Sequence, residues 1–163
     1  MYDGPGMAGA ESLAADLGRL VDRLRARFGP RLVSVVFYGS RARGEARPES
    51  DLDLLVVAEG LPASRLDRHG VVRGLAEEID EDFADLLSCV SLTPDEAAHV
   101  HPFYLGMLSG HRLLHDRDGF FAAVLARLRS RLQELGSRRL VDEDGYEYWD
   151  LKPDWKPGDV VEL

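Results

Sequence analysis

With 163 residues, 45% of them hydrophobic and 30% charged, the chain has the balance of a soluble globular protein that buries a core, and not of a disordered one. A formal net charge of −9 argues against a general nucleic-acid binder that relies on phosphate neutralisation. No apolar run is long enough for a bilayer-spanning helix, so no membrane contact is expected, and the start, MYDGPGMAGAES, lacks the basic-then-apolar pattern of a secretory leader. The single cysteine, Cys89, excludes an intrachain disulfide and fits a buried thiol in a reducing cytoplasm.

In chain order, residues 1–9, rich in glycine and methionine, read as a flexible tail. Leu13, Leu17, Leu20, Val21, Leu24 and Phe28 then recur at helical spacing and predict an amphipathic helix over about residues 10–28, stopped by Gly29-Pro30. Arg31–Tyr38 is short and dense in β-branched and aromatic residues, which predicts a strand broken by Gly39-Ser40. Pro48-Glu49-Ser50 resets the chain, and Asp51–Ala58 predicts a second strand. Within it Asp51, Asp53, Leu55 and Val57 share one face, and Leu52, Leu54 and Val56 the other. Both faces are apolar beyond the acids, so this strand should be central and covered on both sides.

A second helix is expected over Ser64–Ile79 and a third strand over Asp85–Leu92. Thr93-Pro94-Asp95-Glu96 opens another helix with a capping box, Phe103–Leu108 forms a further helix, and Arg112–His115 an edge strand. Asp118 heads a long amphipathic helix closed by Gly136. Residues 139–141 and 146–149 read as a β-hairpin, followed by an irregular tail. The alternation predicts an α/β (α+β) domain, a small mixed sheet flanked by helices, over residues 10–116. The helix, hairpin and tail of 117–163 are expected to pack on that same domain.

The chemistry concentrates between Tyr38 and Val57. A phosphate chain needs backbone N–H donors with no side chain in the way and positive charge nearby. Gly39-Ser40 at the start of a short helix, with Arg41 or Arg43, supplies both. Alone, such a turn is more often just a strand-to-helix junction. Asp51 and Asp53 add weight, because two carboxylates at i and i+2 on a strand face the same way and repel when ionised. A divalent cation or an arginine relieves them. Ser50 is expected in support, bonding a backbone group or phosphate at the turn. His99, His101, His111 and His115 read as surface or loop residues rather than zinc ligands, since no cysteine pair and no H-E-x-x-H accompanies them. Tyr146, Tyr148, Trp149 and Trp155 read as anchors that tie the tail to its own domain.

The pattern G-S-x-x-x-G followed by S-D-x-D-L, here Gly39, Ser40, Gly44, Ser50, Asp51, Asp53 and Leu54, resembles the nucleotidyltransferase superfamily of the polymerase-β type, and most closely its minimal nucleotidyltransferase branch. The resemblance implies a palm-like fold over roughly Leu32–His115, with Gly39, Ser40 and Arg41 near the phosphates. It also implies two Mg²⁺ ions on the strand aspartates and a third carboxylate, with a nucleoside triphosphate, ATP above all, as donor. Asp85, which heads the expected third strand as Asp51 heads the second, is the favoured third carboxylate and general base. Asp80, Glu81 and Asp82 are its rivals. Members of the branch are often encoded beside a small HEPN-domain protein, and some act as antitoxins that adenylylate it. The expected activity is therefore transfer of AMP from ATP to an acceptor hydroxyl, with a HEPN-type partner as one acceptor and self-association left open. The alternative is a non-catalytic module that neutralises its partner by contact or senses nucleotide.

Overall fold

The computed structural model describes residues 7–163, with side chains from Glu11 onward; most of the expected tail, residues 1–6, lies outside that range. The chain divides into two compact units at Phe121 and Ala122. In the first, helix α1 spans Met7–Phe28 and so begins earlier than expected, inside the predicted tail. Gly29–Arg31 then make one turn of 3-10 helix with Pro30 near its start, which ends the α-helix where the sequence demanded.

A four-stranded mixed sheet follows: β1 Leu32–Tyr38, β2 Leu52–Ala58, β3 Leu87–Leu92 and β4 Arg112–Asp116, in spatial order β3-β2-β1-β4. β1 pairs antiparallel with both β2 and β4, whereas β2 pairs parallel with β3. That parallel pair needs a crossover, and helices α3 (Arg65–Glu77) and α4 (Glu81–Leu86) supply it. β2 is central as its two-sided apolar pattern required, with Leu54 through Ala58 fully buried. One sheet face, carrying Val35, Phe37, Leu52, Leu54, Val56 and Leu87, packs with Leu20 and Leu24 of α1 and Val72 and Ala76 of α3. The short helices α5 (Pro94–Ala98) and α6 (Tyr104–Met107) follow β3, and the buried residues Ala97, Tyr104 and Met107 lie on them.

Three local devices match the sequence closely. Ser64 caps α3 by accepting from the Asp67 amide. Thr93 and Glu96 form a complete capping box with Pro94 inside the first turn of α5. β4 is the edge strand expected from RLLH, one residue longer. α4 was not anticipated. Asp80 caps it by accepting from the Phe83 amide at 2.9 Å, with Glu81 and Asp82 in the first turn where acids suit the helix dipole. The third strand therefore begins at Leu87, not Asp85, because residues 85 and 86 complete this helix.

A 3-10 turn over Arg117–Gly119 leads into α7, Phe120–Glu134, so Asp118 precedes the long helix instead of heading it; its φ is 55°. In the second unit α7 buries Val124, Leu125, Leu128 and Leu132 and ends before Gly136. Strands β5 (Arg138–Val141) and β6 (Glu147–Asp150) form the expected hairpin. The irregular tail returns to α7 through Arg131, whose Nε donates to the Glu162 carbonyl at 2.9 Å. Tyr146, Tyr148 and Trp155 remain 72%, 49% and 54% exposed, so the tail is not anchored mainly by its aromatic rings as expected.

Candidate active site

β1 delivers the Gly-Ser turn, and β2 delivers the acids. In the antiparallel register Tyr38, the last residue of β1, pairs with Asp53. Gly39 follows immediately with φ of +80°, and a Cβ built on it would lie 2.0 Å from Asp53 Oδ2 and 2.8 Å from its Cγ. The backbone of the turn therefore lies directly against the carboxylate, and only glycine meets both the dihedral and the space. Residues Gly39–Arg43 form the single-turn helix α2, whose N-cap, Tyr38, offers no side-chain cap. Gly44, in the left-handed region, ends it with its N–H on the carbonyls of Ser40 and Arg41.

The connection back to β2 is held by Arg41. Its Nε donates to the Ser50 carbonyl at 2.8 Å and its Nη2 to the Pro48 carbonyl at 3.2 Å. Two donors of the residue expected near the phosphates are thus committed to the loop that carries Asp51. Ser50 Oγ accepts from the Arg47 amide at 2.9 Å, one of the two roles its position suggested. Arg43 is the cation coupled to the acids. Its Nε donates to Glu45 at 2.7 Å, and its charge favours the ionised form of Asp53.

Burial raises the pKa of Asp53, repulsion from Asp51 raises it further, and Arg43 partly offsets both. Asp51 is exposed and Asp53 half-buried. Burial, then Asp53 and Cys89, push the Tyr38 hydroxyl up to about 12, so it stays protonated beside the acids. The Tyr38 ring stacks on Phe103 at 5.7 Å, and Phe103 meets Tyr104 edge-on at 4.8 Å. Burial likewise pushes the Cys89 thiol up to about 12, which makes it a poor nucleophile.

The expected third carboxylate lies on α4, two residues before β3 begins. Asp85 sits on α4, is largely exposed, and accepts from Arg73 Nη2 at 2.6 Å. Among the described residues no group of three His, Cys, Asp or Glu is arranged to hold a metal ion. Asp51, one residue before β2, and Asp53 within it, whose pKa the Asp51 charge raises, fit one divalent cation whose remaining ligands would come from phosphate oxygens and water. They do not by themselves supply the three-carboxylate set of a two-ion centre. The histidines are engaged locally. His99, His101 and His111 bond the carbonyls of Asp95, Glu96 and Met107 at 2.8, 3.0 and 2.8 Å.

Sequence reasoning left Tyr38 out of the site, since its place beside Asp53 depends on a cross-strand register that no local pattern reveals. Arg43 was weighed only as an alternative to Arg41, and nothing in R-A-R tells which arginine turns inward.

Comparison with known proteins agrees with this geometry. Residues 17–100 match the family described as Nucleotidyltransferase domain. A relative from Methanocaldococcus jannaschii, named as a protein adenylyltransferase, is 30% identical over 147 residues, which cover 89% of this chain and 94% of that protein. Two solved structures share the fold, a toxin–antitoxin with AMP-PNP (TM-score 0.51, 16% identity) and a mutant of the toxin–antitoxin MntA-HpeT (TM-score 0.50, 14% identity). Each covers 72% of this chain and 88% of its own. The family match spans more than half of the chain and holds the Gly-Ser turn and both acids, so the protein belongs to the nucleotidyltransferase domain family and is a transferase.

Proposed function

We propose that the protein transfers AMP from ATP, with Mg²⁺, to a hydroxyl on a HEPN-type partner protein, as the antitoxin of a toxin–antitoxin pair. The observation that carries this reading is the contact of the Gly39 turn with the Asp53 carboxylate, which sets the Gly-Ser backbone directly against one acid of the expected cation-binding pair. A divalent cation held there by Asp51 and Asp53 would neutralise charge on the triphosphate. Arg41 fixes the loop that carries Asp51. In the transfer the acceptor oxygen bonds to the α-phosphorus while the bond from that phosphorus to the bridging oxygen breaks. Pyrophosphate departs with the electron pair, and the hydroxyl proton passes to solvent.

Support comes from the adenylyltransferase name of the archaeal relative and from the toxin–antitoxin setting of the two structural neighbours. The test is incubation with labelled ATP, Mg²⁺ and a HEPN-type protein, taken from a neighbouring gene where one is encoded there. Label appears on that protein with the wild type and is absent with Asp53→Asn. The pairing of Asp85 with Arg73, and the lack of a third acid grouped with Asp51 and Asp53 among the described residues, favour one second reading, a module that binds nucleotide without turnover. That reading requires nucleotide binding with no label transferred to any acceptor.

A further inference from the structure

Directly paired residues on neighbouring strands send their side chains to the same sheet face. Parallel pairing sets Leu52 opposite Leu87, Asp53 opposite Ser88 and Leu55 opposite Val90. The β3 residues that share a face with Asp53 and Leu55 are therefore Ser88 and Val90, neither of them acidic. Asp85 lies three positions before Ser88, out of phase with that face. It also lies within α4, so it reaches β3 only if the last turn of the helix unwinds.

Asp85 has other work. Arg73 of α3 donates to it at 2.6 Å, to Glu77 at 2.8 Å and to the Ala84 carbonyl at 3.4 Å. This bundle of contacts fastens α3 to α4, the two helices of the crossover. Unwinding the last turn of α4 would break it and would also disturb Phe83 and Ala84, both fully buried.

Resting on the nucleotidyltransfer reading, we infer that the centre holds a single divalent cation on Asp51 and Asp53, that Ser88 occupies the place of a third acidic ligand, and that Asp85 is a structural tie between α3 and α4. A neutral hydroxyl at position 88 supplies a hydrogen bond but no charge, so it cannot balance a second ion. The chain then offers the acceptor hydroxyl no carboxylate from β3. Its proton leaves to solvent or to a base that the acceptor brings.

Manganese(II) tests this, counted by the electron paramagnetic resonance signal of the free ion in the presence of AMP-PNP. Wild type and Asp85→Asn each bind one ion per chain, Asp53→Asn binds none, and Ser88→Asp gains a second. Thermal melts accompany each variant, with Asp85→Asn lowering the midpoint by less than Arg73→Ala, which also loses the contacts to Glu77 and Ala84, and the double variant lowering it by no more than Arg73→Ala. Two ions in the wild type, loss of an ion in Asp85→Asn, or no gain in a folded Ser88→Asp overturns the inference. A wild-type chain that binds neither ion nor nucleotide overturns the underlying nucleotidyltransfer reading as well. Two ions with intact transfer remove the inference alone.

Discussion

At Gly39 two constraints coincide, a φ of +80° and a carboxylate where a side chain would begin. Gly39→Ala is expected to cost about 1–2 kcal/mol in backbone strain alone. It would also displace Asp53, so nucleotide binding by calorimetry should fall further than the melting temperature suggests. Asp53 itself is held at a loss. Burial, and then repulsion from Asp51, raises its folded pKa above the ordinary value, so the fold favours the protonated acid. The sign follows: stability is greatest below the unfolded pKa and declines as pH rises through the folded one. Asp53→Asn should therefore raise the melting temperature at neutral pH while abolishing transfer. Arg43→Ala removes a cation that favours the ionised form, so the Asp53 carboxyl titration followed by NMR should move to higher pH. Gly39, Asp51 and Asp53 were legible because their chemistry is local and their spacing short. Tyr38 and Arg43 were not, because cross-strand register and rotamer decide what they touch.

Between elements, the strongest polar tie is Arg68 with Glu96. Arg68 is 7% exposed, and its Nη1 donates to Glu96 at 2.6 Å and to the Ser91 carbonyl at 3.3 Å, while its Nε bonds the Pro62 carbonyl. One guanidinium thus joins the start of α3, the end of β3 and the capping box of α5. Arg68→Ala should destabilise by about 1–2 kcal/mol, less than a fully buried pair because Glu96 is partly in water. The hydrogen bond from Arg68, then that from the Thr93 amide, holds Glu96 down at about 2 against an ordinary 4.5. Its contribution is therefore complete above about pH 4.5 and is lost as pH falls toward 2. Urea unfolding at several pH values in that window should show a steeper decline for the wild type than for Glu96→Gln. α4 escaped the sequence because Asp85–Leu92 reads as one continuous apolar run. Its start signals, Asp80 as cap with Glu81 and Asp82 after it, look the same as a solvated acidic loop. Only the closing of Phe83 and Ala84 into the core separates the two, and that is a tertiary event.

For the molecule as a whole, the order β3-β2-β1-β4 makes β1 and β2 the interior pair and leaves β4 on an edge, with irregular register where it meets β1. Hydrogen–deuterium exchange should be slowest at Val35–Phe37 and Leu54–Val57 and measurably faster along β4. A uniform protection pattern across the sheet would contradict this ranking. The strand order itself could not be read from the chain, since alternation fixes the layers but not which strand crosses over. The placement of β2 at the centre was readable, from apolar residues on both of its faces. The pairing of Tyr38 with Asp53 carries a consequence for descent. The expected phosphate turn directly follows β1, Asp51 directly precedes β2 and Asp53 lies in it, so all three fall in one continuous stretch of chain, and the β3 residue paired with Asp53 is Ser88. Such a segment can be inherited whole. Exchanges of sequence that fall outside it can swap helices, tails and acceptor surfaces without dividing the donor site, whereas any junction inside it separates the turn from its carboxylates. The chemistry should therefore stay constant across lineages in which everything around it has been replaced.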